Sequence, residues 1–438
     1  MSAAASNLVE HASTTPHLRQ TNWPRKELAV NQQAVLNPSE MKQKISTPNY
    51  AWVIFLVSFV ASVTAALNLF KPASLMPVLI GAFKVDLTSA GLLMAVFSFV
   101  GVLLALPSGI IVQKFGLKLS GIIAMACLLA GSVIGALSTS YPVFLGSRAL
   151  EGVGYALVVV VAPAAIAFWF PREKLALPMG LWGLWVPVGG VSVMAAGGHM
   201  AQTMGWPSVW WLGAALSLLS IVLFAFFLRL PPWMDAGGPP EKLPSTGKAL
   251  ANRDIWLLMA SFTAFVIPTS AFFTFYSTYL TKVRGYSVDH ASMTTSLGML
   301  GLLIGSPLAG WLLSLVGRLK NCLTVTLVIL ALLLLFPFNI PNALIPVWWI
   351  LIGVAMGFTP TICYAVAPGI MGKPELAGLG LAVLTLGNAA GGLIGAMYFG
   401  AITQRAGWNA GTYSLIPLVI IGLIAGRMTK FPEEPSRI

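Results

Sequence analysis

Residues 67–75, LNLFKPASL, place a lysine near the end of a stretch that is otherwise apolar enough to span a bilayer. A charged ammonium at the centre of a bilayer costs roughly 2.5–3.5 kcal/mol even on insertion scales. With helical spacing, Thr64, Asn68 and Lys71 lie at i, i+4 and i+7 on one face. A polar stripe that ends in a cation offers a small anion both charge and hydrogen-bond donors. We therefore predict that these three residues bind substrate and face the protein interior or a water-filled cavity.

The alternative for Lys71 is an interfacial position. If its helix begins near residue 51, Lys71 lies about 30 Å along the helix axis at 1.5 Å per residue. The ammonium can then reach the outer membrane interface while the apolar stem of the side chain stays in lipid. The depth of Lys71 therefore distinguishes a substrate site from an interface residue.

A second group, Arg148, Glu151 and Tyr155, follows helical spacing in another apolar stretch. Glu151 is the only carboxylate that we place inside a predicted span. We therefore predict that these three residues serve proton coupling or gating. Two other roles stay open, namely direct contact of Arg148 with an anion and a purely structural ion pair between Arg148 and Glu151.

The second half of the chain offers only uncharged candidates. Tyr276, Tyr364 and Asn388 each lie within a predicted span. Their hydroxyl and amide groups can orient a ligand in a cavity whose walls are mostly apolar. We predict that these side chains bind substrate, with interhelical packing as the alternative role for each.

The composition places the chain among membrane proteins, since 57% of its 438 residues are hydrophobic and only 9% are charged. The net charge of +12 does not indicate nucleic-acid binding, because the basic residues are scattered in short loops between apolar runs. Three cysteines without paired spacing predict neither a disulfide framework nor a metal site. The sequence contains no Walker A motif, so we expect neither ATP-driven transport nor enzyme activity, and no cofactor.

Twelve apolar stretches are long enough to cross a bilayer as helices. They are 51–80, 88–111, 119–138, 142–169, 175–201, 208–229, 255–280, 291–315, 321–339, 344–367, 377–403 and 409–428. We predict a disordered tail at 1–48, a linker at 230–254 and a short tail at 429–438. With the N-terminus in the cytoplasm, 19 of the 25 Lys and Arg residues lie on the cytoplasmic side. Both termini are therefore predicted to be cytoplasmic.

The predicted halves, 49–229 and 255–428, repeat each other. Gly109 lies 201 residues before Gly310, and the pair Gly189-Gly190 lies 202 residues before the pair Gly391-Gly392. Several matches at nearly one offset predict an all-α membrane protein built from two pseudo-symmetric six-helix bundles. In such proteins the substrate site lies between the repeats, near the membrane midplane.

The sequence resembles the major facilitator superfamily over about residues 50–430. Residues 109–118, GIIVQKFGLK, are similar to the family motif G-x-x-x-D-R/K-x-G-R/K-R/K, with Gln113 in place of the acid. Residues 148–156, RALEGVGYA, resemble its R-x-x-Q-G-x-G motif. Pro187 and Gly190 belong to a partial proline–glycine motif that the family associates with antiporters, and we predict that both act in coupling or gating. The chain is also similar to the cyanate/nitroimidazole branch, and to monocarboxylate carriers in which a lysine beside a proline is part of the anion site.

The resemblance implies a secondary active transporter that works by alternating access in a lipid bilayer, the inner membrane in a bacterium. We predict a monomer that carries a small organic or inorganic anion, cyanate-, nitrate- or monocarboxylate-like, with a proton as the coupling ion. The first alternative is an exporter of apolar drugs or nitroimidazoles, which should tolerate Lys71→Gln. The second alternative is a transporter-like sensor that binds ligand without flux.

Overall fold

The computed structural model describes residues 49–104, 107–171, 174–229, 251–316, 318–372 and 376–431. The predicted tail 1–48, most of the predicted linker 230–254 and residues 432–438 lie outside the described residues. Within the described ranges the chain forms fifteen α-helices and the 3-10 helix Asn342–Leu344.

The helices fall on both sides of the predicted linker. The N-terminal half (residues 49–229) contains α1 (Asn49–Ser74), α2 (Met76–Phe83), α3 (Leu87–Leu104), α4 (Pro107–Leu137), α5 (Tyr141–Trp169), α6 (Ala176–Trp182), α7 (Trp185–Met204) and α8 (Pro207–Phe227). The C-terminal half (residues 251–431) contains α9 (Arg253–Lys282), α10 (Val288–Val316), α11 (Leu319–Leu333), α12 (Ile345–Ile370), α13 (Ala377–Ala406), α14 (Trp408–Tyr413) and α15 (Ile416–Met428).

Eleven stretches of the described chain are long and apolar enough to cross a membrane. The predicted span 321–339 corresponds to α11, which has only 15 residues and is followed by turns. At 1.5 Å per residue, a helix of this length covers about 22 Å, less than the ~30 Å hydrocarbon core of a bilayer. The all-helical membrane class is confirmed, whereas a twelfth crossing and the cytoplasmic position of both termini stay predictions.

The helices are interrupted at two places near the substrate and loop motifs, one within the predicted span 51–80 and the other between the predicted spans 88–111 and 119–138. α1 contains Pro72 and ends at Ser74, and α2 begins at Met76 with a proline in its first turn. The Ser74 hydroxyl donates to the carbonyl of Lys71 at 2.8 Å, so this carbonyl stays hydrogen-bonded where the helix ends. In α4 the break is at Gly116, whose φ of 74° is a conformation that residues with a Cβ rarely adopt.

The two halves meet along two seams, one between α3 and α13 and the other between α7 and α10. In the first seam, the Leu87 amide donates to Gln404 Oε1 at 3.2 Å. In the second, the Ser292 hydroxyl donates to the carbonyl of Met194 at 2.6 Å. The first contact lies at the C-terminal end of α13, and the second lies in the middle of α7, near the N-terminal end of α10. The N-terminal ends of α7 and α13 lie at the end of the bundle where the loops hold most of the Lys and Arg residues. We refer to the helix ends on this side as the basic ends.

The predicted internal repeat recurs as a packing arrangement. A methyl group on Gly189 of α7 would lie 2.6 Å from the carbonyl oxygen of Val63 in α1. A methyl group on Gly391 of α13 would lie 3.1 Å from the carbonyl oxygen of Thr263 in α9. Each glycine therefore lets its helix approach the first long helix of its own half. Val63 and Thr263 are 200 residues apart, close to the 202 between the glycines.

Candidate functional site

Lys71 is fully buried, and its ammonium is surrounded by partners from the N-terminal half. Its Nζ donates to Asn68 Oδ1 at 2.8 Å, to Ser132 Oγ at 2.9 Å and to Glu151 Oε1. The centroid of the Trp210 ring lies 4.8 Å from Nζ, so α8 covers the group with an aromatic face. An ammonium has three donors, and all three are engaged. The interfacial alternative for Lys71 is therefore wrong.

Glu151 lies between two cations. Its Oε1 accepts from Lys71, and its Oε2 accepts from Arg148 Nη1. Arg148 is also fully buried; its Nε donates to the carbonyl of Leu93 at 3.3 Å, and its guanidinium carbon lies 4.5 Å from the centroid of the Phe97 ring. We refer to Lys71, Arg148 and Glu151 as the buried triad. With two cations and one anion, its net charge is +1 when all three groups are ionised.

Pro72 helps to position Arg148 against α1. Because proline has no N–H, the carbonyl of Asn68, four residues earlier, loses its helical donor. Arg148 Nη1 donates to this carbonyl at 2.8 Å, and Nη2 donates to the carbonyl of Leu69 at 3.4 Å. A buried carbonyl without a donor is costly, so the arginine supplies what the proline removes. The adjacent Lys71 and Pro72 thus contact α5 in two ways, one through Glu151 and the other through Arg148.

The polar stripe of α1 faces the inside of the N-terminal half. Thr64 Oγ1 lies 3.4 Å from Ser220 Oγ of α8. A methyl group on Gly213 of α8 would lie 2.7 Å from Asn68 Oδ1 and 3.3 Å from Lys71 Nζ, so glycine permits this close approach. The three predicted substrate residues share one face, as the helical spacing indicated, and that face packs against α4, α5 and α8. It does not line the space between the halves, and direct contact with substrate stays a prediction.

The two seams open toward the basic ends at corresponding positions. In the α7–α10 seam, a methyl group on Gly190 would lie 3.0 Å from Met299 Sδ; in the α3–α13 seam, one on Gly392 would lie 2.9 Å from Ser98 Oγ. Asn388 lies on the same face of α13 as Gly392, one turn nearer the basic end, and is exposed. A face that contacts α3 at Gly392 is thus uncovered at Asn388. We refer to the region around Gly190, Gly392 and Asn388, where the halves separate, as the fork.

Aromatic rings from both halves lie near the fork. The Tyr155 ring centroid is 5.8 Å from that of Trp185, and Trp185 stacks on Trp182 with centroids 5.8 Å apart and an interplanar angle of 26°. In the C-terminal half, the Tyr364 centroid is 5.5 Å from that of Phe262 in α9, yet Tyr364 remains 39% exposed. Tyr364 therefore packs against α9 on one side while part of its ring stays uncovered.

The structure brings some of the predicted site residues together and leaves others apart. Gly190 lies at the fork, and Pro187 is buried in the first turn of α7, three residues away. Tyr276, by contrast, is 1% exposed, and its hydroxyl donates to the carbonyl of Pro337 at 2.9 Å. It lies 14 residues beyond Phe262 on α9, about 21 Å along the axis at 1.5 Å per residue. Tyr276 is therefore not brought together with Tyr364 and Asn388.

Sequence reasoning missed three residues around the buried triad, namely Ser132, Trp210 and Gly213. Small and polar residues are common at helix–helix contacts in membranes, so a serine or a glycine in an apolar helix is a weak signal. The stronger signal was Lys71 itself, because a buried cation requires an anion and further acceptors. Glu151, the only acid inside a predicted span, was the available partner.

Comparisons with known proteins agree with this architecture. The sequence model of the Major Facilitator Superfamily matches residues 54–303 and 269–437. The inner membrane transport protein YdhP of Escherichia coli (strain K12) is 27% identical over 371 residues, covering 82% of this chain and 89% of the relative. The 2-nitroimidazole transporter of the same strain is 29% identical over 184 residues, covering 42% of this chain and 44% of the relative. A solved structure of a bacterial homologue of the human lysosomal transporter Spinster, in an inward-facing and unoccupied conformation, has a TM-score of 0.74 at 16% identity, over 88% of this chain and 98% of that one.

Proposed function

The chain belongs to the Major Facilitator Superfamily, and from this premise we propose that it carries small aromatic or heterocyclic compounds without a full charge by alternating access. It is a multi-span membrane protein. The observation that carries the proposal is that the buried charges lie away from the fork. Lys71 and Arg148, the fully buried cations of the described residues, are paired with Glu151 inside the N-terminal half, whereas the residues that we place at the fork are uncharged.

The groups at the fork suit a neutral ring. Asn388 offers an amide with two donors and one acceptor, and Tyr155 and Tyr364 offer hydroxyl groups. The exposed part of the Tyr364 ring adds stacking, which contributes about 0.5–1.5 kcal/mol per pair beyond the area buried. An anion bound here would have no unpaired cation from the buried triad, because Lys71 and Arg148 already share Glu151. The side chains at the fork therefore favour the first alternative that the sequence analysis left open, a transporter of apolar drugs or nitroimidazoles.

One relative supports the same class of substrate. The transporter that is 29% identical over 184 residues is named for 2-nitroimidazole, a small neutral heterocycle. Its match covers less than half of either chain. We therefore take from it a class of compound rather than one substrate, and we choose 2-nitroimidazole as the probe for experiments.

We also propose that both termini are cytoplasmic, because Lys and Arg concentrate at the basic ends of the helices. In this orientation the hydrogen-bonded ends of the seams face outward, and the fork opens toward the cytoplasm. Rocking of the two halves about the fork would then expose the same residues to the other side.

A second candidate function is proton-coupled transport of a small anion. The observation that favours it is the net charge of +1 on the buried triad. For an anion to use this charge, Lys71 has to exchange one of its present acceptors for the substrate. We rank this function second because α4, α5 and α8 pack around Lys71 and leave no room there for a substrate to replace one of its acceptors.

The test is counterflow in proteoliposomes loaded with unlabelled 2-nitroimidazole, with labelled compound outside. We expect the wild type to exchange the compound, and Asn388→Leu and Tyr364→Leu to slow the exchange because each removes a polar group from the fork. Tyr413→Leu is the matched control, since Tyr413 is an exposed tyrosine of α14 at the end of the bundle opposite to the fork. Counterflow of nitrate or lactate that depends on Lys71, without counterflow of neutral compounds, would replace this proposal with the second candidate. Saturable binding without any flux would support the sensor.

A further inference from the structure

The buried triad has one more cation than it has anions, and this imbalance identifies the group that can change its charge. We infer that Lys71, rather than Glu151, releases and rebinds the coupling proton during transport. The inference rests on the proposed function, since it assigns the coupling step of the same carrier. It differs from the interpretation of the sequence, which assigned the proton to Glu151 as the only acid in a span.

Counting charges for each possible step separates the two assignments. Each carboxylate oxygen of Glu151 accepts from a different cation, so protonation of Glu151 would leave two buried cations and no anion. Loss of a proton from Lys71 would leave the neutral pair of Arg148 and Glu151. An unpaired buried charge is far more costly than a paired one, and arginine does not lose its proton in proteins. Deprotonation of Lys71 is thus the single step that lowers the net charge of the buried triad.

The surroundings of Lys71 can accommodate both forms of its side chain. As an ammonium, Lys71 donates to Asn68, Ser132 and Glu151. As an amine it keeps two donors, for Asn68 and Glu151, and its lone pair can accept from the Ser132 hydroxyl. The Ser132 hydroxyl oxygen is 2.9 Å from both Asn68 Oδ1 and Glu151 Oε1, so its hydrogen already has two possible acceptors. Rotation about the C–O bond would turn this hydrogen toward the Lys71 amine.

The groups that face Lys71 are few and belong to four helices. They are Asn68 from α1, Ser132 from α4, Arg148 and Glu151 from α5, and Trp210 with Gly213 from α8. The charge of Lys71 therefore depends on the triad itself and on water that enters when the halves move. In the proposed step, the ammonium gives one proton to water and becomes an amine; the reverse step takes a proton from water on the other side, so charge and atoms balance without a further reactant.

Lys71 is also close to a contact between the two halves, which must open during the proposed transport. Two residues beyond it, the carbonyl of Ala73 accepts a hydrogen bond from the Ser277 hydroxyl of α9 at 3.0 Å. This bond joins the two halves. A change in the charge and position of Lys71 therefore occurs next to a contact that holds the halves together.

The first test compares two kinds of transport of 2-nitroimidazole in proteoliposomes with the membrane potential held at zero. With one proton per substrate, a pH gradient of one unit supports at most about tenfold accumulation. We expect the wild type to accumulate the compound and to exchange it, and Lys71→Gln to exchange it while its internal concentration stays equal to the external one. Lys282→Gln is the control for loss of a lysine charge, because Lys282 is exposed at the end of α9 and should retain accumulation.

Accumulation by Lys71→Gln at the wild-type level would overturn the inference and leave the proposed function intact. A wild type that neither accumulates nor exchanges the compound would overturn the proposed function. A second measurement needs no substrate and no folded Lys71 variant. Trp210 lies 4.8 Å from Nζ, so the charge on Lys71 should affect its fluorescence. We expect wild-type emission to change from neutral to alkaline pH and Trp210→Phe to lack that component; identical titrations of the two proteins would refute the inference.

Discussion

Removal of Glu151 should destabilise the protein more than removal of Lys71, one of the two cations that it binds. Glu151→Gln keeps the size of the side chain but leaves Lys71 and Arg148 facing a neutral amide, so the net charge of the buried group rises from +1 to +2. Breaking a buried ion pair from one side costs about 3–5 kcal/mol. Lys71→Gln leaves the Arg148–Glu151 pair intact, and its cost should be close to that of one lost hydrogen bond, about 1 kcal/mol.

The double variant Lys71→Gln/Glu151→Gln provides the decisive comparison, because it restores the net charge of +1. We expect it to be more stable than Glu151→Gln alone, although it lacks more native hydrogen bonds. The measurement is unfolding in mixed micelles titrated with SDS, followed by circular dichroism, with the four proteins forming a double-mutant cycle. If Lys71→Gln destabilises as much as Glu151→Gln, or if the double variant is the least stable of the four, the charge argument for the triad is refuted.

Three further predictions concern packing and the seams. Gly213→Ala should lower the free energy of unfolding by about 1–3 kcal/mol, because its methyl group overpacks against Asn68; Gly146→Ala, with open space around it, should cost nothing in the same SDS titration. Gly392→Val should push α13 away from Ser98 and weaken the α3–α13 seam. An impermeant maleimide should then label a cysteine introduced at position 404 faster, and unchanged labelling would contradict this packing. Ser277→Ala should remove one hydrogen bond between α9 and α1, about 0.5–1.5 kcal/mol. The population in which the two halves are in contact there should fall about two- to tenfold in distance measurements by double electron–electron resonance, and an unchanged distribution would show that this bond does not hold the halves together.

The parts of the fold and the site that depend on neighbours along one helix could be predicted from the sequence. Helical spacing correctly placed Thr64, Asn68 and Lys71 on one face, because a side chain's direction on a helix depends only on its position. The same reasoning paired Arg148 with Glu151 at i and i+3. Long apolar runs gave the all-helical membrane class, since a bilayer leaves the backbone few alternatives.

The parts that depend on which helices meet could not be predicted. Spacing does not say which way a face points, and the stripe of α1 turned toward α4, α5 and α8 instead of toward the other half. Partners such as Ser132 and Trp210 are set by the packing of helices far apart in the sequence. For Tyr276, membership in a predicted span was a poor guide, because depth along α9 separates it from the fork.

The repeat offers an argument about why the buried triad exists. Residues Gly152 and Gly353 are 201 apart, so Arg148 and Glu151 correspond to Trp349 and Ile352 in the C-terminal half. Both counterparts are fully buried, which means that apolar packing fills the equivalent positions of α12. Apolar replacement of buried ions is often neutral or stabilising. Helix packing of this kind therefore does not require ions at these positions, and their presence in one half only is better explained by a charge that changes during transport than by structural need.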